Sequence, residues 1–229
     1  MNDLRFFYDT IASEFDSLIN SYDLERRLSI VFSELFPEDL TGLRTLDLGC
    51  GSGWFSNRAL ERGACVTSLD ISISLAQITH SRTQQAPVVT ADAIRSPLAS
   101  GRFDLIISSE MLEHLERPER GIQEIARLLA PGGAVVLTTP NRRWLWLVNL
   151  ATKIGLRPFA GHENFLGFDE IHEMMQKVGL VVEVHTGFHP WPFQLAPLQP
   201  LSRRVDIRHG SGRWGRWMIN QAVRARKLK

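Results

Sequence analysis

The sequence predicts an α/β fold: an open, doubly wound parallel sheet with helices on both faces. Three observations predict it. From Leu43 onward, short apolar runs alternate with helical segments, a rhythm that right-handed crossovers turn into a parallel sheet. Glycine-rich and acidic clusters recur at the carboxyl ends of the apolar runs, the edge at which such sheets bind ligands. A chain of 229 residues, 44% hydrophobic and 22% charged, is long enough to bury a full core as one domain.

The elements follow in order. Residues 4–36 place Leu4, Phe7, Ile11 and Phe15, then Leu24, Leu28, Val31, Phe32 and Leu35 at helical spacing, which predicts a helical cap over 1–42. Strands are predicted at 43–48, 64–69, 87–90, 103–109, 133–139 and 180–186. Helices are predicted at 53–62, 73–83, 119–130 and 169–178. Gly63, Pro131-Gly132-Gly133 and Gly179 mark the turns after three of these helices. Residues 43–140 thus form the core of a single domain, 141–168 an insertion, and 169–229 the remainder of the sheet with a basic tail. The insertion and the Pro/Trp-rich stretch GFHPWPFQLAPLQP (187–200) break the rhythm, and irregular segments at a ligand-binding edge are where specificity resides.

Charge is uneven. The net charge is +1, but from Leu201 on there are nine Arg or Lys against one acid, Asp206, which leaves 17 basic and 24 acidic residues before it. Such a strip suits anionic headgroups, nucleic acid or a partner, or is a solvated face. Two cysteines, Cys50 and Cys65, form no CxxC and no disulfide framework, so a reducing cytoplasm is expected. The opening MNDLRFFYDT contains Asp3 and no long apolar stretch, unlike a signal peptide. The most apolar window, 144–156, is too short to span a bilayer.

TLDLGCGSGWFS (45–56) sets the ligand question. A triphosphate loop needs GxxxxGK[ST], which is absent, and the dinucleotide fingerprint needs a third glycine where Trp54 stands. What remains is GxGxG behind Asp47, a carboxylate that repels a pyrophosphate and attracts an ammonium. The loop therefore fits a zwitterionic amino acid, with backbone N–H groups toward its carboxylate and acidic or carbonyl oxygen toward its amine. Asp70 ends the next strand, 21 residues after Gly49, where an acid accepts from ribose hydroxyls. Asp92 follows the third strand and suits an adenine amine, with the Ala93 N–H for the ring. One ligand carrying adenosine and methionine would satisfy all three places.

At this point LDLGCGSG, Asp70, the Asp92-Ala93 pair, FDLIISSEMLEHL (103–115) and LLAPGGAVVLTTPN (128–141) resemble, in family order, the motifs of class I S-adenosylmethionine-dependent methyltransferases. The resemblance extends over 20–229. It implies a Rossmann-like, seven-stranded, mostly parallel sheet of order 3-2-1-4-5-7-6, whose antiparallel last strand lies within 217–227. It implies S-adenosyl-L-methionine as cofactor: Asp47, Gly49, Gly51 and Gly53 at its methionine end, Asp70 at the ribose with Ile71 beside it, Asp92 and Ala93 at the adenine, and Ser109, Glu110 and Met111 as the pocket floor.

A sulfonium methyl is already activated, so the protein contributes alignment, desolvation and a base for an acceptor that must lose a proton. The [N/D/S]PP[Y/F/W] motif of nucleobase amino-methyltransferases is absent, which argues against a nucleic-acid partner. SSEMLEHLERP (108–118) instead resembles small-molecule enzymes, especially the ubiquinone-pathway O-methyltransferases. Two readings of Glu110, Glu113 and His114 stand. The resemblance implies a divalent metal such as magnesium that acidifies a hydroxyl, whereas the same residues also cap and orient a following helix. His114 is a candidate general base, and His162, in GHENF, is a second.

The insertion resembles the same enzymes, in which an apolar segment is associated with a membrane-resident substrate. Arg142 and Arg143 preceding Trp144 and Trp146 suit a membrane interface. The other reading is a buried lid over the pocket. Trp144, His162 and, from the N-terminal helices that close over the cofactor in related enzymes, Tyr8 are the substrate-side candidates; Arg26 or Arg27 would reach the methionine carboxylate. The expected acceptor is a small molecule or lipid-like compound methylated on oxygen. Carbon or nitrogen methylation of a quinone, sugar or natural product is the alternative, and RNA a further one through the basic tail. Residues 187–216 match nothing in the ubiquinone-pathway pattern.

Overall fold

The computed structural model describes residues 2–84, 86–153 and 163–228. The helical cap comprises α1 (Asn2–Ile11), α2 (Phe15–Leu18) and α3 (Ser21–Ser29), and α3 runs on into a π-helical stretch, Ile30–Leu35. Asn20 starts α3 by accepting the Asp23 N–H at 3.1 Å. Strands and helices then alternate: β1 (Arg44–Leu48), α4 (Trp54–Glu61), β2 (Cys65–Asp70), α5 (Ile73–Arg82), β3 (Val88–Thr90), β4 (Phe103–Ser109), α6 (Pro118–Leu128) and β5 (Leu129–Pro140). After the insertion, which carries α7 (Leu145–Lys153), come α8 (Phe168–Lys177), β6 (Leu180–Phe188), α9 (Gln199–His209) and β7 (Asn220–Lys227).

The sheet order is β3-β2-β1-β4-β5-β7-β6. β1 to β5 pair in parallel, and β7 is antiparallel to both β5 and β6. Strand order reverses between β1 and β4, so the ligand crevice lies at their carboxyl ends. Each central strand buries both faces, which is why it reads as an unbroken apolar run. Ile106 and Val135 pack on one side with Ile122, Ile125, Ile171 and Met175, while Ile107 and Val136 pack on the other with Phe32, Phe36 and Phe55. The burial of each such side chain contributes roughly 1.5–3 kcal/mol.

Element boundaries agree with the sequence reading within one or two residues except at three places. β5 begins at Leu129, inside what the helical periodicity assigned to the preceding helix, because Phe103 pairs with Leu129 across a register shift. α9 begins at the end of the irregular stretch 187–200 and runs through a segment for which the sequence predicts no element. Its inward residues are polar, Ser202 and Asp206, so the usual apolar stripe is missing. α7 was open to two readings, a buried lid or an interface helix. Trp146 and Leu150 are exposed, and residues 142–153 contribute nothing to the main cavity.

Candidate active site

The loop after β1 is held by its own backbone. Gly49 and Cys50 N–H groups both donate to the Leu69 carbonyl, at 2.8 and 3.0 Å, and Gly53 N–H donates to the Cys50 carbonyl at 2.9 Å. Gly51 N–H donates to Asp70 Oδ2 at 2.8 Å, and Asp70 Oδ1 accepts the Ser72 N–H at 2.9 Å. Asp70 thus clamps the loop after β1 to the loop after β2. Its carboxyl is pushed up to about 6, by burial. The expectation that these N–H groups face a ligand carboxylate is corrected: those of Gly49, Cys50 and Gly51 are spent on Leu69 and Asp70 at the end of β2, and that of Gly53 on Cys50 within the loop.

Asp47 is also corrected. Expected beside an ammonium, it is 1% exposed and stands behind the loop, outside the cavity wall. Its Oδ2 accepts Ser56 Oγ at 2.6 Å, and Ser56 in turn contacts Ser68 Oγ at 2.7 Å. Burial pushes its carboxyl up to about 7. Gly53, expected at the methionine end, also lies outside the wall. It turns at φ 87° into α4, and a Cβ there would meet the Thr79 side chain at 2.9 Å, so packing against α5 explains this glycine.

A cavity of about 260 Å³ opens at the switch point. Its wall includes Tyr8, Gly49, Gly51, Trp54, Asp70, Ile71, Asp92, Ala93, Ser109, Glu110, Met111 and His114, most of the site set that the sequence assembled. The cap closes it with Phe15, Ile19, Leu24 and Arg27. Two carboxylates latch the cap down: Asp9 accepts Ser72 Oγ at 2.6 Å and the Ser74 N–H at 3.0 Å, and Asp16 accepts Ser52 Oγ at 2.5 Å and Arg82 Nη2 at 2.5 Å.

The structure separates the two arginines that the sequence left as alternatives. Arg26 turns away, to Asp206 at 3.2 Å and to Glu34. Arg27 lines the cavity, its Nε donating to Asp23 Oδ2 at 2.8 Å and its Nη1 to Ser109 Oγ at 3.1 Å. Burial alone would lower the guanidinium pKa, but Asp23 and Glu110 outweigh it and the net direction is upward, so Arg27 is cationic. Asp92 fixes its own turn by accepting the Ile94 N–H on Oδ1 at 3.0 Å. Its Oδ2 is buried with no hydrogen-bond partner in the protein, an acceptor suited to an amine donor such as that of adenine. Ala93, the residue expected beside the ring, is buried in the same wall.

Glu110, the residue after β4, holds a left-handed conformation, φ 52°, a strain that persists only where the surroundings fix it. Its Oε1 accepts Thr138 Oγ1 at 3.0 Å. Burial raises its carboxyl to about 7, partly opposed by Arg27. Glu113 is 2% exposed and turns to Thr139 Oγ1 at 3.2 Å; burial and the neighbouring Glu110 hold its carboxyl well above the usual range. His114 lies in the wall, edge-on to Tyr8 at 5.9 Å between ring centroids.

The metal reading of Glu110, Glu113 and His114 does not fit this donor set. Glu113 lies outside the wall, and among the described residues no three His, Cys, Asp or Glu side chains converge as ligands. Trp144 is corrected as well: its Nε1 donates to the Trp217 carbonyl at 2.9 Å, and it shares a separate groove with Pro190, His209, Trp214 and Trp217. His162 lies outside the described residues. Asn164 docks on the turn that carries His114, donating from its backbone to the Glu113 carbonyl at 2.6 Å and from Nδ2 to that of Leu115 at 2.7 Å.

Comparison with known proteins agrees with this fold. Residues 21–185 match the family model described as "Methyltransferase domain". A ubiquinone biosynthesis O-methyltransferase of Coxiella burnetii (strain Dugway 5J108-111) is 30% identical over 187 residues, 74% of this chain and 76% of that protein. Among solved structures, an S-adenosylmethionine-dependent methyltransferase from Mesorhizobium loti superposes with TM-score 0.65 at 22% identity, covering 86% of this chain and 96% of that one. The magnesium protoporphyrin IX methyltransferase of Synechocystis PCC 6803 gives TM-score 0.68 at 17% identity, with 99% and 98% covered. Among the described residues no helix is long and apolar enough to cross a membrane. With its cavity at the switch point of a 3-2-1-4-5-7-6 sheet and the family model matched over most of its length, the chain belongs to the S-adenosylmethionine-dependent methyltransferases.

Proposed function

We propose that this enzyme methylates a hydroxyl oxygen of a small, lipid-like acceptor. The observation that carries the reading is that one cavity wall unites a cation (Arg27), two carboxylates (Asp70 and Asp92) and an imidazole (His114). Arg27 takes the methionine carboxylate, Asp70 the ribose hydroxyls, and Asp92 with Ala93 the adenine. When bound, S-adenosylmethionine supplies an electrophilic methyl group for in-line transfer. The cap residues Tyr8 and Phe15 exclude water and hold the reacting groups in line, and His114 takes the hydroxyl proton as general base. The relative named as an O-methyltransferase supports oxygen as the acceptor atom.

A second inference concerns where the acceptor is met. Trp146, Trp214 and Trp217 are 63%, 70% and 60% exposed, and Arg143 lies over the Trp217 ring at 4.1 Å. On α9, Leu201 and Ile207 are exposed beside Arg203, Arg204 and Arg208, while Ser202 and Asp206 face inward. Exposed indole and leucine interleaved with arginine suits an anionic bilayer surface, and peripheral contact there would bring the enzyme to a lipid-like acceptor.

Incubation with labelled S-adenosylmethionine and a fractionated extract tests the function. Label is expected in lipid or small-molecule material and to be stable to mild base, as an ether is. Label in RNA, or on nitrogen or carbon, would replace this reading.

A further inference from the structure

Residues 187–216 lie beyond the stretch 21–185 that the family model matches, yet one of their side chains, His189, pairs with Asp23, the carboxylate that holds the cavity residue Arg27. His189 follows β6, is completely buried, and holds φ 60°, a left-handed conformation that a residue other than glycine keeps only when its surroundings determine it. Its backbone is pinned from both sides: its N–H donates to Asp206 Oδ1 at 2.9 Å, and its carbonyl accepts the Ile219 N–H at 2.9 Å. Phe193, Phe188 and Tyr22 crowd the ring, at 4.9, 5.0 and 5.6 Å between centroids. An apolar ring would fill that space at less cost, because His189 Nδ1 is buried with no hydrogen-bond partner.

The other nitrogen supplies the reason for a histidine. Nε2 meets Asp23 Oδ1 at 2.9 Å, and facing a carboxylate it must be the donor. Asp23 Oδ2 accepts Arg27 Nε, and Arg27 Nη1 reaches Ser109 in the cavity wall. The carboxylate thereby holds one edge of each partner. Were Oδ1 free, it would compete for a second guanidinium N–H, since arginine and carboxylate pair through two parallel bonds when geometry permits. That pairing would rotate Arg27 away from the cavity.

We propose that His189 is a positioning residue for Arg27: by occupying Asp23 Oδ1 it limits Asp23 to a single bond with the guanidinium and leaves the remaining N–H groups for the methionine carboxylate of the cofactor. The unmatched C-terminal segment is thus a part of cofactor recognition. This rests on the reading above that Arg27 takes that carboxylate.

The test compares two ligands, S-adenosylhomocysteine and methylthioadenosine, which share the nucleoside and thioether and differ in the amino acid. Binding to the full chain is measured by titration calorimetry for wild type, Arg27→Ala, His189→Asn and His189→Gln, with thermal melting to establish folding. Asparagine tolerates the left-handed backbone, but its amide falls short of Asp23; glutamine restores the reach. His189→Asn should weaken S-adenosylhomocysteine about tenfold, the scale of one charge-assisted hydrogen bond, and leave methylthioadenosine within twofold, with glutamine recovering most of the loss. Equal weakening of both ligands, or of neither, overturns the proposal while leaving the Arg27 reading intact. An Arg27→Ala variant that binds S-adenosylhomocysteine as wild type does removes that reading and the proposal with it. Should His189→Asn not fold, Asp23→Asn is measured instead: with one acceptor oxygen it cannot pair with Arg27 through two bonds, so S-adenosylhomocysteine should bind within a few-fold of wild type, and a tenfold loss overturns the proposal.

Discussion

Replacing Asp70 by asparagine tests the cofactor reading most directly. The carboxylate uses a different oxygen for each backbone donor, Oδ2 for Gly51 and Oδ1 for Ser72, and it lines the cavity. Asparagine offers one oxygen, so its amide nitrogen must oppose one of those N–H groups, and the charge that strengthens bonds to ribose hydroxyls is gone. A hydrogen bond to a charged group contributes about 1.5–3 kcal/mol, so the dissociation constant for S-adenosylhomocysteine should rise about 10- to 150-fold. The pH dependence adds a second signature. Burial lifts this carboxyl from 3.8 to about 6, so its contribution to stability is complete below pH 4 and is lost as pH rises through 6. Ribose donors require the ionised form, so binding between pH 5 and 6 should take up the carboxylate form and release a proton. Calorimetry in buffers of different ionisation enthalpy measures that proton directly. Asp70→Asn should abolish it; equal affinity, or proton release that persists in the variant, would refute the role given to Asp70.

Asp47→Asn should act on stability and leave cofactor affinity within a few-fold, because Asp47 lies behind the loop. With the folded carboxyl raised from 3.8 to about 7 by burial, the wild-type contribution is complete below pH 4 and lost as pH rises through 7, on the order of 4 kcal/mol at most. Denaturant melts across pH 5–8 should slope downward in wild type and flatten in the variant, and a large loss of cofactor affinity would restore the ammonium-facing role. For His114→Gln, single-turnover methyl transfer to the acceptor identified by labelling should slow by about 10²–10⁴-fold with cofactor affinity unchanged; a rate near wild type would assign the proton to another group. Trp214→Ser with Trp217→Ser should abolish sedimentation with phosphatidylglycerol vesicles, and wild-type binding should weaken with salt because arginines near the surface contribute about 1 kcal/mol each.

Most of the sheet was legible because β4 and β5 bury both faces and so read as unbroken apolar runs between turn residues. The side to which Asp47 points was harder to read. Strand alternation sets it opposite Leu46 and Leu48, but only the packed structure shows that this face meets Ser56 of α4 instead of the ligand. Motif and spacing single out Gly51 and Asp70 as candidate ligand residues, yet their mutual hydrogen bond, which removes a supposed anion donor, is a property of two loops brought together. Arg27 was one of two candidates until Arg26 was seen to pair with Asp206, 180 residues away. α9 and His189 left no periodic signal, since the helix buries polar side chains against partners from the opposite end of the chain.

The placement of β7 has a consequence for how the protein is made. β7 lies between β5 and β6 and pairs with both, so a nascent chain that has produced β1 to β6 still presents two open sheet edges. Such edges invite pairing with other chains, and the non-local contacts that close them are slow to form. Three glycines guard the same join: a Cβ on Gly187, Gly210 or Gly215 would fall within 2.5 Å of the backbone of another of the three, so the segment entering β7 seats only in that tight arrangement. In a chain halted before β7, His189, which reaches Asp23 from beside this join, would also lack the Ile219 N–H that its carbonyl accepts, so such chains would be aggregation-prone and would hold this contact with the cap less firmly.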